Sequence, residues 1–462
     1  MGTDQKTPIG SLAIDRSSPP APGEIRPFHF PPFLRRFLPC GLTVLAARFP
    51  GVPLINLELL APAGAQLDPP DGEGLATLTA ALLDEGTAGR SAMEIATGIE
   101  QLGGYLATGA DWDTGYIGTG LLRRHLGAGM RLVAEVATTP SFPEEEIARA
   151  RQQRLTEILR RRHSPAVLAD EQLARAIYRG TSYAHSVLGS ARSIADLGRD
   201  AIVDFYRRYF ILAGSTLIAV GDLEPELLLA EAAAAFGGPP PATARPQAPA
   251  IRPAPLPGIA VHIVDRPGAA QTELRLGHAG VSLNHPDFMA LSVLNTLLGG
   301  KFTSRINLNL RERHGYTYGA SSRFAGRLGP GPFVVAAAVA TEAAGPAARE
   351  VLGELRRIRE EPVALEEMEE TRSYILGVFP YTLQTVGDLA KRLEDLAVYG
   401  LPDDYFNRYL ACVAALSREE VLELARRHLD PDHAAIVAVG PADLLRPQLE
   451  ALGELTVTAP DS

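Results

Sequence analysis

Ile218-Ala219-Val220-Gly221 and Val437-Ala438-Val439-Gly440 are short β-rich runs that each end in glycine, and the offset between them carries other parts of the chain along with it. At that offset Arg207-Arg208 falls on Arg426-Arg427, while Ile202, Val203 and Phe205 fall on Val421, Leu422 and Leu424. A helix and a strand agreeing at one spacing mark an internal repeat. The second helix opens with Ser417-Arg418-Glu419-Glu420, a capping box in which the Ser and the Glu three residues on satisfy backbone amides reciprocally. Earlier in each half lies a run of alternating polarity, Ile55-Asn56-Leu57-Glu58-Leu59 and Glu273-Leu274-Arg275-Leu276. Each predicts a strand with one face on a core and its polar residues facing away, and each is followed by a helix. The expected fold is α+β: two homologous α/β-roll domains, each an antiparallel-rich sheet covered by helices, related by internal duplication.

Working outward, Gly237-Gly238-Pro239-Pro240-Pro241 opens a Pro- and Ala-rich stretch that ends at Pro257-Gly258. Few amide donors and no helix continuity make it a semi-rigid linker. The expected organisation is an N-terminal extension over 1–35, a domain over 36–236, a linker over 237–258 and a second domain over 259–462. Two domains also suit the length of 462 residues, since single cores stop growing at roughly 250–300 residues. With 46% hydrophobic and 21% charged residues, the chain has the composition of a globular protein. A net charge of −10 supplies no positive field for phosphate backbones, so nucleic acid is not an expected partner. Arg160-Arg161-Arg162 reads as a solvated helix end. Cys40 and Cys412 have no metal-type spacing and form no disulfide framework, and whether they pair is open. No run reaches the about 18 apolar residues of a membrane helix, so no membrane span is expected. The start lacks a basic segment followed by an apolar one, and Lys6 stands where a myristoylation pattern has Ser or Thr. The expectation is a cytoplasmic protein, or a periplasmic one if a signal peptide has been removed.

Further stretches carry more specific information. They are Leu38-Pro39-Cys40-Gly41-Leu42-Thr43-Val44, Gly74-Leu75-Ala76, Ser182-Tyr183-Ala184-His185-Ser186-Val187-Leu188-Gly189 and Asp204-Phe205-Tyr206 in the first half. In the second, Gly299-Gly300 and Ser304-Arg305 precede Leu310-Arg311-Glu312-Arg313-His314-Gly315-Tyr316-Thr317-Tyr318. Together they resemble the insulinase and mitochondrial-processing-peptidase family of zinc metallopeptidases, the inverzincins, over nearly the whole chain after about residue 36. One departure is Cys40, where the family usually has Asn before the Gly. Catalytic members carry H-x-x-E-H, two imidazoles one helical turn apart that hold zinc beside a Glu that activates water. Here the corresponding residues are Thr77-Leu78-Thr79-Ala80-Ala81, with no imidazole and no carboxylate. None of the ten histidines forms such a pattern elsewhere, and Leu75, Leu78 and Leu82 form a core stripe. Glu157 matches the family's distal zinc ligand and reads here as an ordinary helix carboxylate, while the Glu expected seven residues upstream is Ala150. No metal ligand set and no cofactor is therefore expected in this chain.

What the resemblance retains is Arg311 and Tyr318 as catalytic and substrate-binding residues, with Gly299 and Gly300 as further substrate-binding positions. A guanidinium and a phenol placed where negative charge develops on a peptide carbonyl stabilise it without reorganisation. Gly315 should turn a helix ending near Arg311 into a strand on which Tyr316 and Tyr318, two apart, share a face. Taken singly, an Arg at a helix end and a Tyr on a strand serve packing, and Gly299-Gly300 after two leucines is also an ordinary helix stop. The family context favours the functional reading. The resemblance thus implies the non-zinc-binding Arg/Tyr subunit of a heterodimeric, bacterial-type peptidase, inactive alone. Its expected partners are a peptide substrate and a homologous H-x-x-E-H subunit that carries the zinc. The competing expectation is a non-catalytic scaffold or peptide-binding homologue, like the core proteins of respiratory complexes. An independent Ser or Cys hydrolase has no G-x-S-x-G and no Cys/His constellation behind it.

Overall fold

The computed structural model describes residue 23 and residues 25–239 and 248–459. Parts of the expected extension (1–22 and 24), of the linker (240–247) and of the second domain (460–462) lie outside the described residues. The first sheet contains β1 (Phe33–Phe37), β2 (Thr43–Arg48), β3 (Leu54–Ala61), β4 (Tyr105–Ala110), β5 (Gly115–Leu122) and β6 (Thr216–Gly221), in the order β1-β2-β6-β3-β5-β4. The second contains β7 (Ala260–Asp265), β8 (Gln271–Ala279), β9 (Thr317–Phe324), β10 (Pro332–Ala340), β11 (Ala435–Gly440) and β12 (Glu454–Thr458), in the order β12-β7-β11-β8-β10-β9. Five strands correspond one to one, and the sixth is added at the same edge by different ends of the two halves. It is antiparallel β1 in the first sheet and parallel β12 in the second. Because β1 starts at Phe33 and Phe30 is buried in a core, the first domain takes in the end of the stretch expected as an extension.

Among the helices that matter here are α1 (Leu75–Ala80), α2 (Glu144–Arg161), α3 (Pro165–Ile177), α4 (Arg199–Tyr209), α5 (Phe288–Asn295), α6 (Val386–Val398) and α7 (Arg418–His428). The capping box of α7 forms as read, with Ser417 Oγ accepting the Glu420 amide at 3.2 Å and the Glu420 carboxylate accepting the Ser417 amide at 2.8 Å. Arg160 and Arg161 close α2, and Arg161 lies 3.7 Å from Glu171. Both cysteines are free thiols, Cys40 in the first core and Cys412 half-buried. Among the described residues no helix is long and apolar enough to cross a membrane.

The repeated runs Ile218–Gly221 and Val437–Gly440 are the central strands β6 and β11. Both are apolar on both faces, so each needs two covers. One cover is local: Leu217 and Ala219 pack against helices of their own half, including Ile202 and Phe205 of α4. The other is borrowed. Ile218 and Val220 pack with Leu45 and Leu60 against Leu389, Leu393 and Leu396 of α6, which belongs to the second half. Reciprocally, Val437 and Val439 with Val264 and Val334 receive Leu168, Leu173 and Ile177 of α3, from the first half. The expectation that the polar residues of β3 and β8 face away from the core therefore needs correcting, because that face is roofed by the exchanged helix.

The polar side chains under the roof answer each other across the repeat. Glu58 lies opposite Ile218, and Arg275 holds the equivalent place opposite Val437. Arg275 is buried and neutralised, with Nε 2.7 Å from Asp170 on α3 and Nη1 2.8 Å from Glu273. Glu58 meets α6, where Lys391 is engaged by Glu394 at 2.7 Å. Burial, and secondly the charge of Glu394, push the Glu58 carboxyl up to about 7. A clasp also locks the halves: the Arg327 guanidinium lies 4.6 Å from the Trp112 ring and 4.5 Å from that of Tyr183, and Asp113 accepts both Tyr183 Oη at 2.7 Å and the Leu328 amide at 2.9 Å.

Two outcomes follow for stability. Leu393→Ala should cost about 2–5 kcal/mol in denaturant unfolding although it changes a helix of the other half. The folded protein holds a proton on Glu58 that the unfolded chain releases above its ordinary value near 4.5, so stability falls as pH rises towards about 7 and stays lowered above it. Glu58→Gln should raise the Tm at pH 8 and leave it nearly unchanged at pH 4.5, and an equal effect at both would contradict the assignment.

Candidate functional site

Two regions correspond to the two motifs. In the first half, Asp68 starts α1: its Oδ2 accepts the Gly74 amide at 2.7 Å and its Oδ1 the Ala76 amide at 2.8 Å. Burial pushes this carboxyl up to about 7 in spite of those two bonds. His185 donates through Nδ1 to the Ser186 carbonyl at 2.9 Å, and its Nε2 stands 3.9 Å from Asp68 Oδ2. Gly74, at φ +89°, is required where it is, because a Cβ there would lie 2.6 Å from the Leu188 carbonyl oxygen. The whole of α1 is buried.

Position 77, where the resemblance places the first zinc ligand, is linked to α2 by a guanidinium. Arg154 Nη1 donates to Thr77 Oγ1 at 2.6 Å, and that hydroxyl donates to the Val187 carbonyl at 2.7 Å. Arg154 is buried, and its Nε lies 3.9 Å from Glu157, whose side chain is 40% exposed. Thr79 Oγ1 is buried without a hydrogen-bond partner. The residues do not fit zinc: α1 offers no imidazole or carboxylate, and a buried guanidinium is hydrogen-bonded to the side chain at position 77 itself. No zinc chemistry is assigned to this half. Nothing in the sequence pointed to Arg154, which reads as one more charge in a basic helix.

The second region keeps polar groups in the open. A helical turn at Arg305–Asn307 runs into a π-helical turn at Leu308–Arg313, anchored by a bidentate pair of Arg305 with Glu367 at 2.7 Å for both bonds. Asn307 ties the turn to β9, its Oδ1 accepting the Ala320 amide at 2.9 Å and its Nδ2 donating to the Phe302 carbonyl at 2.6 Å. Arg311 is partly exposed, with its guanidinium carbon 4.5 Å from the Phe302 ring centre and Nε 3.2 Å from Glu312. Gly315 makes the expected turn at φ +67°. The two tyrosines do not share an environment, contrary to the sequence reading. Tyr316 precedes the strand, donates its amide to Leu310 and stacks on His314 at 4.9 Å. The β9–β10 register then slips, from Thr317 opposite Val339 to Ala320 opposite Ala337, so Tyr318 and Gly319 sit in a bulge facing Ala338. A bulge breaks the two-residue alternation and re-aims a side chain; Tyr318 is 90% exposed on the edge strand.

Gly299 is buried, and a Cβ on it would lie 2.4 Å from Ser322 Oγ on β9. Its smallness lets the helical turn approach the strand, while Gly300 is exposed and lines a groove with Phe288, Tyr374 and Tyr409. Arg311 and Tyr318 flank one turn at one end of β9; among the described residues no hydrogen bond joins them.

The two halves match two profiles of one family. The profile described as Insulinase (Peptidase family M16) matches residues 43–191, and that described as Peptidase M16 inactive domain matches 196–375. The chain belongs to the M16 insulinase family of peptidases. Among its relatives is an uncharacterized zinc protease of Rickettsia bellii, 24% identical over 409 residues that cover 87% of this chain and 96% of the relative. Another, an uncharacterized zinc protease of Mycobacterium tuberculosis, is 29% identical over 62% of this chain and 66% of its own length. In structure, the peptidase M16 inactive domain from Pseudomonas fluorescens superposes with a TM-score of 0.80 and 27% identity, covering 88% of this chain and 98% of that one. A protease from Helicobacter pylori reaches a TM-score of 0.84 at 18% identity, covering 89% and 100%, a likeness of fold alone.

If Arg154 is what excludes a metal, restoring ligands is not sufficient. The combination Thr77→His, Ala80→Glu, Ala81→His should add no zinc equivalent over the parent protein by elemental analysis, whereas adding Arg154→Ala should add one. A zinc equivalent gained with Arg154 in place would refute this.

Proposed function

We propose that this chain is the zinc-free member of a two-chain peptidase, binding an extended peptide and presenting Arg311 and Tyr318 to it, with zinc on a homologous H-x-x-E-H partner. The observation that carries the reading is the contrast between the two regions. Position 77 is sealed by a buried guanidinium, while Tyr318 is 90% exposed at a bulge. A tyrosine that closed a core would be buried. One held out from an edge strand does nothing for its own fold and is available to a ligand. The edge of β9 suits addition of an extended peptide, whose main chain can pair with the strand.

At such a peptide, Arg311 offers a planar, permanently charged fork to carbonyl oxygens, steadied by the Phe302 ring and Glu312. The Tyr318 hydroxyl offers a neutral donor to a carbonyl oxygen that gains negative charge. The chain alone supplies no attacking group and is inactive by itself. These features favour participation in proteolysis over a scaffold role, which needs the paired domains but gives no reason for an exposed Tyr near a partly exposed Arg.

Co-expression with an H-x-x-E-H homologue should give a complex that cleaves unfolded peptides. Tyr318→Phe in this chain should lower its kcat by about 10²- to 10³-fold, with the Tm and the assembly unchanged because the ring is exposed. Chelator-sensitive turnover by the isolated chain, or full turnover of the complex with both Arg311 and Tyr318 replaced by Ala, would defeat the proposal.

A further inference from the structure

Three titratable side chains outside both regions come together where α5 begins and α7 ends. Asp287 is the residue before α5, His285 lies two residues before it, and His428 is the last residue of α7. His428 Nε2 stands 2.7 Å from Asp287 Oδ2, and the two imidazoles meet edge to face with ring centres 5.4 Å apart. One potential ligand atom from each of the three lies within 4.8 Å of the others. All three residues are half-buried, so the cluster is reachable from solvent.

We infer that His285, Asp287 and His428 form a binding site for a divalent first-row transition ion of the zinc class, which fastens α5 to α7. Two imidazoles and one carboxylate are the donor set that zinc, cobalt and nickel favour over magnesium or calcium. Three protein ligands leave a further position for water. Atoms that share an ion at about 2.1 Å stand about 3.0–3.4 Å apart, so the His428 to Asp287 pair opens by a few tenths of an ångström and the wider pairs close by side-chain rotation. Asp287 has an oxygen to give: Arg427 at 2.7 Å and His428 both use Oδ2, and among the described residues no hydrogen bond reaches Oδ1. His285 Nδ1 accepts the Asp287 amide at 3.1 Å, so its lone pair already faces the cluster side of the turn. Coordination through Nδ1 replaces that bond, and coordination through Nε2 moves the ring proton to Nδ1 and gives the same bond up, so either route exchanges one amide hydrogen bond for a metal bond. The neighbouring histidines are otherwise engaged, His278 Nε2 by the Asp430 amide at 3.2 Å and His433 by the Asp430 carboxylate at 3.0 Å.

Such an ion departs from the expectation of a metal-free chain, but it does not touch the degenerate motif around Thr77 and does not depend on the role of Arg311 and Tyr318. Its place is structural: α5 leads into the turn that holds Gly299, Gly300 and the Arg311 segment.

Chelator-stripped full-length protein titrated with ZnCl₂ in a calorimeter should bind one equivalent, and zinc should raise its Tm. Affinity should fall at least about tenfold in His285→Ala and in His428→Ala, tighten in Arg427→Gln, which releases Asp287, and stay unchanged in His433→Ala. Cobalt(II) should give a visible ligand-field absorption that His428→Ala abolishes. The stripped His285→Ala protein should melt as the stripped wild type does, which separates lost ligation from lost folding, and His285→Gln serves if it does not. No saturable binding below about 100 μM, or one equivalent persisting in His285→Ala/His428→Ala, overturns the inference.

Discussion

A strand buried on both faces cannot be satisfied by the helices of its own half alone, and the remainder of this molecule is arranged around that demand. From Leu217 and Ala435 onward β6 and β11 are apolar, and each is covered on one side by a helix from the opposite repeat. Exchange of α3 and α6 turns two domains joined by a Pro-rich stretch into one body with a continuous interface. Separating the halves would expose both sheet faces at once, which is why the relative placement of the halves is a property of the cores and not of the linker.

Charge reinforces the same interface unequally. Under α3, Arg275 is fully compensated by Asp170 and Glu273. Under α6, Glu58 occupies the matching place with the sign reversed, and Lys391 is engaged by Glu394, leaving acid in excess around Glu58. The two sides of the pseudo-symmetric joint thus differ, with an ion pair on one and, on the other, a carboxyl that burial pushes up to about 7. The Arg327 clasp on Trp112 and Tyr183 adds a third point of attachment, through ring faces that hold the cation near the Asp113 carboxylate.

The duplicated halves also differ in how they hold their polar side chains. Around Thr77 the first half buries the Arg154 guanidinium against the Thr77 hydroxyl. On the second half, a glycine at φ +67°, a bulge and an edge strand combine to lift Tyr318 out of the sheet beside a turn that carries Arg311. Each device acts on backbone geometry, which explains how one repeat exposes polar side chains at a place where regular strand alternation would have turned them inward.

The internal repeat, the α+β class, the capping box at Ser417 and the loss of zinc ligands at Thr77, Ala80 and Ala81 were all legible in the amino-acid order, because they depend on periodicity, local hydrogen bonding and the presence or absence of a functional group. The turn at Gly315 was legible for the same reason. The roof over Glu58 and Arg275 was not, since alternation reports that two faces differ and says nothing of what covers the polar one. Nor was the separation of Tyr316 from Tyr318, because a bulge depends on register with β10, a partner distant in sequence. Arg154 bonds a residue 77 positions away, and Asp287 meets His428 across 141. Contacts of that reach are decided by how the layers pack, and only the tertiary structure determined them.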